Sequence, residues 1–324
     1  MGMKSMQKRC YLLIIIVFLL TACVHHAPKN QPLTAPTQVY KTKQIRRVPA
    51  FNQVNVQGPF NVSLHTGYKE PQVILSGDAR DLAIVKAEVV QNTLYLAIAG
   101  KGHLNGPIYA EIRGQFLNRL TANGTPMITG DQIRTRLLDV YLLNTGKVRL
   151  AGSIGLRVLD IKGKGLTQIG GISSPGLQLH LEGSPKVQLS GVANLANLTM
   201  QGNAWLSLFW VKTDTLTVRA KQKTTIQLAG AVNRLDVELW GNARFKGRYL
   251  RAQRSFVKTH DHSVAEISVA KHQSNLATDA SDIYYFNLPS TRADFMVFDG
   301  SVLDMREWNQ SELKDFNRYN KQLP

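Results

Sequence analysis

Apolar residues recur along this chain with two superposed periods, one of two residues and one of 19 or 20. Gly124, Asn144, Gly163, Gly183, Gly202, Gln222, Gly241, Asp261, Ala280 and Asp299 mark the long period. Four residues before each mark stands an apolar side chain: Leu120, Val140, Leu159, Leu179, Leu198, Val218, Val237, Val257, Leu276 and Phe295. Two before come residues such as Ile161, Leu181, Met200 and Leu239. Four after come Val148, Val187, Leu206, Ile226, Tyr284 and Leu303, among others, and six after come Leu150, Ile169, Leu208, Phe286 and Met305. Alternation at every second residue is the strand signal, because successive side chains leave a strand on opposite faces. Each unit therefore reads as strand, corner, strand. A weaker apolar column about ten residues after each mark (Ile133, Ile154, Ile172, Val192, Val211, Val232 and Leu250) adds a short third side.

A long fixed period is the mark of a solenoid, in which each unit buries its apolar face against its neighbours. The corners carry glycine at Gly163, Gly183, Gly202 and Gly241, and again at Gly152, Gly171, Gly191 and Gly230. Glycine there points to positive φ. The prediction is an all-β, right-handed parallel β-helix of about ten 19–20-residue coils. Stacked ~4.8 Å apart they give a prism of roughly 45–50 Å. The competing reading is a sandwich with evenly spaced strands.

The coils are predicted over residues 120–305. Ahead of them, residues 48–119 read as an amino-terminal cap. Phe51–Val56 and Phe60–His65 alternate like the strands of a hairpin around Gly58-Pro59, Asp78–Val89 reads as a helix capped by Asp78, and Thr93–Ile98 returns to strand. Residues 306–324 form a polar tail, with an amphipathic helix expected from Ser311 to Tyr319.

The first thirty residues address the chain. Lys4, Lys8 and Arg9 precede the apolar run Tyr11–Leu20, which is too short to span a membrane comfortably and suits a secretory leader. Leu20-Thr21-Ala22-Cys23 follows and resembles a bacterial lipobox, with residues 1–22 removed and Cys23 acylated. Several acyl chains, at ~0.8 kcal/mol per buried CH₂, anchor such a chain firmly. Val24 follows the cysteine where an aspartate would resemble an inner-membrane retention signal, so the outer membrane is the expected destination. Residues 23–47, with three prolines and a basic end, read as a flexible tether. The only other cysteine is Cys10, inside the leader, so the mature fold has no disulfide and no thiolate metal site.

The motif Phe51-x-x-Val54-x-Val56-x-Gly58-x-Phe60-x-Val62, then Gly77-Asp78, Leu94-Tyr95-Leu96, the Glu182-Gly183-Ser184 turn and Asp282–Pro289 together resemble the GIN domain, an adhesin-head family, over roughly Val48 to Met305. The resemblance implies a β-helical fold and an envelope setting, and no reaction. Several of the family's Gly-Ser turns are replaced here, by Gly163-Lys164, Gly202-Asn203, Gln222-Lys223 and His260-Asp261-His262.

Function would lie on the outward positions. Arg219, Glu238 and Lys258 fall on successive coils as an alternating charge ladder, Lys162 meets Glu182, and Gln168 meets Gln188. Asp160, His180 and Glu182 are the only grouping that resembles the carboxylate pair of a polysaccharide-cleaving enzyme, and each has a ladder partner. His260 and His262 are the weak metal candidates, short of the three or four ligands a lasting site needs; no metal and no cofactor is predicted. Trp205 and Phe209 lie on the predicted outer face, with Lys186 one coil below and Arg244 nearby, and form the candidate contact for a ligand or partner.

Net charge is +17, and removing Lys4, Lys8 and Arg9 leaves +14. A basic envelope protein draws anionic partners: an acidic glycan, lipopolysaccharide, anionic lipid, or an envelope protein. No nucleic-acid module is present, so nucleic acid is not an expected partner. The sequence thus predicts a lipid-anchored, non-enzymatic binding or adhesion module of the cell envelope. The alternatives are a polysaccharide-active enzyme on a β-helix and a purely structural envelope scaffold.

Overall fold

The computed structural model describes residues 41–100, 103–286 and 290–305. They form a β-solenoid of about nine turns. The expected signal peptide, Cys23 and the expected carboxy-terminal helix lie outside the described residues.

The regular coils run through β8 (Arg119–Asn123), β9 (Met127–Leu143), β10 (Lys147–Gly202), β11 (Trp205–Ala220), β12 (Thr225–Leu239), β13 (Arg244–Thr259) and β14 (Val264–Thr278). Each long strand turns a corner and pairs in parallel with its neighbours: Leu206↔Ile226↔Phe245↔Ala265 on one side, and Val218↔Val237↔Val257 on the other. The predicted inward columns are buried. Leu120, Val140, Leu159, Leu198 and Val218 are at most 1% exposed. The mark positions adopt left-handed φ, from +50° at Asn144 to +94° at Gly183 and Gly202.

Two details of register differ from the sequence reading. On the third side the buried residue is Ala193, paired with Val211, and Val192 is exposed. Near the carboxy terminus the left-handed corner is Asp279 (φ +60°) rather than Ala280. A slip of one residue moves every side chain to the other face. Val257 accordingly pairs with Asn275, Ala265 with Ile283 and Ile267 with Tyr285. Leu276, Tyr284 and Phe286, placed in the core by the period, leave it, and so does Leu303, since Val302 pairs with Ile283. The interior at this end is correspondingly polar. Asn275 is buried with no hydrogen-bond partner for its amide, and Ser281 Oγ donates to Thr259 Oγ1 at 2.8 Å.

The amino-terminal segment departs further. β2 (Gln53–Gln57) and β3 (Phe60–His65) are not a hairpin, since they do not pair with each other. β2 lies in parallel between β6 (Thr93–Ile98) and β8, and β3 between β7 (Ile108–Arg113) and β9. Gly58, at φ +118°, is a solenoid corner, with Val54, Val56 and Val62 buried at the offsets that later coils use. The first coil in sequence is therefore the second in space, covered on its outer side by β6 and β7.

Antiparallel strands close the edge that this leaves. β4 (Gln72–Asp78) pairs with β7, and β5 (Val85–Val90) pairs with β6. β1 (Lys41–Arg47) pairs along β4, so the segment expected as tether through residue 47 is strand from Lys41. Covering an edge this way satisfies its backbone N–H and C=O groups and removes a template for aggregation. The predicted helix is shorter than expected. α1 spans Ala79–Ala83, capped by the Asp78 carboxylate accepting from the Arg80 N–H at 2.9 Å, and Val85–Val90 is strand because its branched valines pair with β6.

At the far end, β15 (Asp282–Tyr285), β16 (Arg292–Phe298) and β17 (Ser301–Asp304) complete the last turns. Every residue of β16 is exposed, including Phe295 and Val297, which occupy columns that are dry on the regular coils.

Candidate functional site

The outer face of the second strands carries the predicted aromatic pair. Trp205 and Phe209 stand on β11 at odd offsets with Ser207 between them, so all three project from one face, and both aromatics are half-buried. Lys186 pairs with Trp205, Trp205 with Thr225, and Thr225 with Arg244. The predicted neighbours thus share one column, with Lys186 and Arg244 both exposed. Phe209 belongs to a different column. Four residues along a strand separate it from Trp205 by ~13 Å, so the two rings are separate contacts rather than one clamp.

Phe209 closes one end of an open trough of about 500 Å³. Its column neighbours on earlier coils are Ala151, Gly170 and Ser190, whose small side chains leave the space that Phe209 fills on its own coil. Arg149, Gln168, Gln188 and Ser207 line the trough in the adjacent column. Gln168 Nε2 donates to Gln188 Oε1 at 2.6 Å, fixing the amides in a ladder that leaves Gln188 Nε2 and Gln168 Oε1 to present outward. An aromatic wall, amides, hydroxyls and one guanidinium on a rigid sheet are the chemistry that grips a polyhydroxylated ring. Trp205 is not among the residues lining this trough. The sequence identified Phe209 but not the trough, because small residues at the right offsets carry no signal of their own.

Further along the same face, Glu266 sits between Lys246 and Tyr284. Burial pushes its carboxyl above the usual range, against the opposing pull of Lys246 and Arg248. Burial likewise raises the Tyr284 phenol, which donates to Asp282 Oδ2 at 3.1 Å. These groups form a polar ladder across three coils.

Several of the other candidates have structural partners. Glu182 lies 3.8 Å from Lys162 Nζ and 3.9 Å from His180 Nε2, whereas Asp160, the other carboxylate considered for catalysis, is half-buried with one oxygen lacking a hydrogen-bond partner. Arg219, Glu238 and Lys258 stand in register on three successive coils, in the order the predicted charge ladder gives them, but no ion pair joins them among the described residues. His260 stacks on Trp240 with ring centroids 5.7 Å apart and shares a 2.9 Å hydrogen bond with Thr278 Oγ1, while Lys221 lies over the other ring of the stack. Asp261 accepts from the Gly241 N–H at 2.7 Å. His260 and Asp261 thus tie coils together, and among the described residues no three His, Cys, Asp or Glu side chains gather as a metal site. Among the same residues, no helix is long and apolar enough to cross a membrane.

No match is found among curated proteins. Among solved structures, the chain is similar to a putative adhesin from Parabacteroides merdae, at 16% identity and a TM-score of 0.45, over 82% of this chain and 95% of that one. A putative adhesin from Parabacteroides distasonis matches at 14% identity and 0.44, over 82% and 96%. A protein of the same organism described as a putative lipid binding protein matches at 14% and 0.39, over the same shares. The family model described as "Putative auto-transporter adhesin, head GIN domain" matches residues 50–204 and 172–289, and the chain belongs to that family.

Proposed function

We propose that this protein is a non-enzymatic binding head of the bacterial cell envelope, anchored by lipid at Cys23, that holds an envelope glycan against the outer face of its second strands. The trough beside Phe209 carries this reading: an aromatic wall, a fixed glutamine ladder and Arg149 open onto solvent across several coils. Membership of an adhesin-head family supports it. The net positive charge of the mature chain favours an anionic glycan, and Lys186 and Arg244 would add long-range attraction on the flanking column. The enzyme reading is weaker, because Glu182, one of its two candidate carboxylates, already lies 3.8 Å from the Lys162 ammonium.

The test is a binding isotherm with acidic envelope glycan at two ionic strengths. A Trp205→Ala, Phe209→Ala double variant should keep the wild-type thermal midpoint and lose affinity, by ~1 kcal/mol for each aromatic contact. Lys186→Glu with Arg244→Glu should weaken binding mainly at low salt, where exposed charges act furthest. An aromatic double variant that binds like wild type would remove the trough from the account and favour a scaffold.

A further inference from the structure

A separate groove of about 750 Å³ crosses the third side of the solenoid, next to the amino-terminal coils. Its rim is cationic and aromatic: Arg134 and Arg136 project from β9, and Phe116 comes from the loop between β7 and β8, 57% exposed. Its floor is made of small residues, Ser153, Gly155 and Ser173. Ser153 pairs with Arg134 on the next coil. At Gly155 a Cβ would fall 1.8 Å from the Arg136 carbonyl oxygen, so the backbones meet there and no side chain can fill the hollow.

Among the described residues, nothing neutralises the cations of this groove. No carboxylate lines it, and neither Arg134 nor Arg136 has an ion-pair partner among the described residues. Asp139, three residues beyond Arg136, is buried and already committed: Arg157 grips both of its oxygens and Arg119 approaches to 3.8 Å. The contrast is with the groove further along the third side. There Arg234 is paired with Asp236 at 3.0 Å, and Asp214 also lines the wall. Two guanidinium groups two residues apart on a strand sit ~6.6 Å apart at their backbones. Each presents a planar fork suited to a phosphate or carboxylate, and the exposed phenyl ring offers an apolar surface to a sugar face.

We infer that this groove is a second binding site, for an anionic saccharide carrying phosphate or carboxylate groups. It is distinct from the trough at Phe209, which has one cation in its lining and, although both use β10, shares no lining residue with the groove. Its volume falls within the ~300–1,000 Å³ typical of small-molecule sites.

The experiment titrates the full chain in detergent micelles, in the Trp205→Ala, Phe209→Ala background so that the trough is silent. The probes are tetragalacturonate, phosphorylated maltotetraose, neutral maltotetraose and inorganic phosphate. At least one acidic tetrasaccharide should bind saturably and the neutral one should not; which acidic probe binds identifies carboxylate or phosphate as the recognised group. Arg134→Gln with Arg136→Gln should lower that affinity at least tenfold without moving the thermal midpoint. Ser153→Glu, which sets a carboxylate across from Arg134, should give the same loss should the double variant fold poorly. Phe116→Ala should weaken the tetrasaccharide severalfold and leave inorganic phosphate unchanged. Neutral and acidic probes binding equally, unchanged affinity in the arginine variants, or binding seen only to phosphatidylglycerol vesicles would each overturn the assignment.

Discussion

Replacing Leu179 with aspartate should unfold the solenoid or come close to it. Leu179 is 3% exposed in the inward column of the first strands, with Leu159 and Leu198 at the same offset on the flanking coils, each at most 1% exposed. An aspartate there would either bury an uncompensated carboxylate or take up a proton to avoid doing so, and in both forms it forfeits the leucine's packing. The expected loss is about 4 kcal/mol or more, in the range that single substitutions reach only through a named failure of this kind. At ~2–4 °C per kcal/mol for a domain of this size, the thermal midpoint should fall by about 10 °C or more. A melt matching wild type would mean that Leu179 faces solvent and that the register is wrong by one residue.

The second large effect belongs to a corner. Gly202 has φ +94°, and a Cβ added there would lie 2.2 Å from the carbonyl oxygen of Gly183 on the preceding coil. Neither the torsion nor the contact can relax without separating the coils, so Gly202→Ala should cost about 3 kcal/mol, well above the ordinary penalty for alanine at positive φ. Gln222 occupies the next corner in the same column at φ +67° with a side chain already in place. Gln222→Gly should therefore move stability the other way or not at all, by less than ~1 kcal/mol. Chemical denaturation of the pair separates the two causes. Equal losses in both would mean that the column is not set by backbone approach.

The regular part of this fold was legible because it repeats. Columns such as Leu159, Leu179, Leu198 and Val218 report the same burial many times over, so one irregular coil cannot hide them. What stayed hidden were departures from the period. Asp279 and Ala280 are adjacent, and only the left-handed torsion at Asp279 decides which is the corner; choosing the other inverted Leu276 and Tyr284, while Leu303 leaves the core through a separate shift after Asp299, where Val302 takes its place opposite Ile283. The amino-terminal coil shares the pattern of the others around Gly58, yet it read as a hairpin because two alternating runs are separated by a short turn. Its true partners lie 40 and 66 residues away in the chain for β2 (β6 and β8), and 48 and 66 residues away for β3 (β7 and β9), beyond what local alternation can show.

The surface was less legible than the core. Outward residues obey no packing constraint that repeats from coil to coil, so their columns must be inferred from register. That inference placed Lys186 one coil below Trp205; the register adds Arg244, expected only nearby, to the same column and puts Phe209 in another. The two grooves are made by what is missing: Ala151, Gly170 and Ser190 in one, Ser153, Gly155 and Ser173 in the other. Small residues of this kind are common at solenoid corners for backbone reasons, so they do not mark a cavity until the neighbouring side chains are in place. Arg134 and Arg136 were passed over for the same reason, since two arginines on a strand of a basic protein are unexceptional until the carboxylates around them are located.

The central claim is that this solenoid is an envelope-anchored head that binds glycan through its outer face. It is tested most directly by capturing the protein from intact envelopes after growth with a fatty-acid analogue, and identifying what it carries. The account predicts an acyl-labelled protein that loses its label in Cys23→Ala, with an envelope glycan bound to wild type and absent from the Trp205→Ala, Phe209→Ala variant. Protein that carries no acyl label, or glycan recovered equally with that variant, would contradict it.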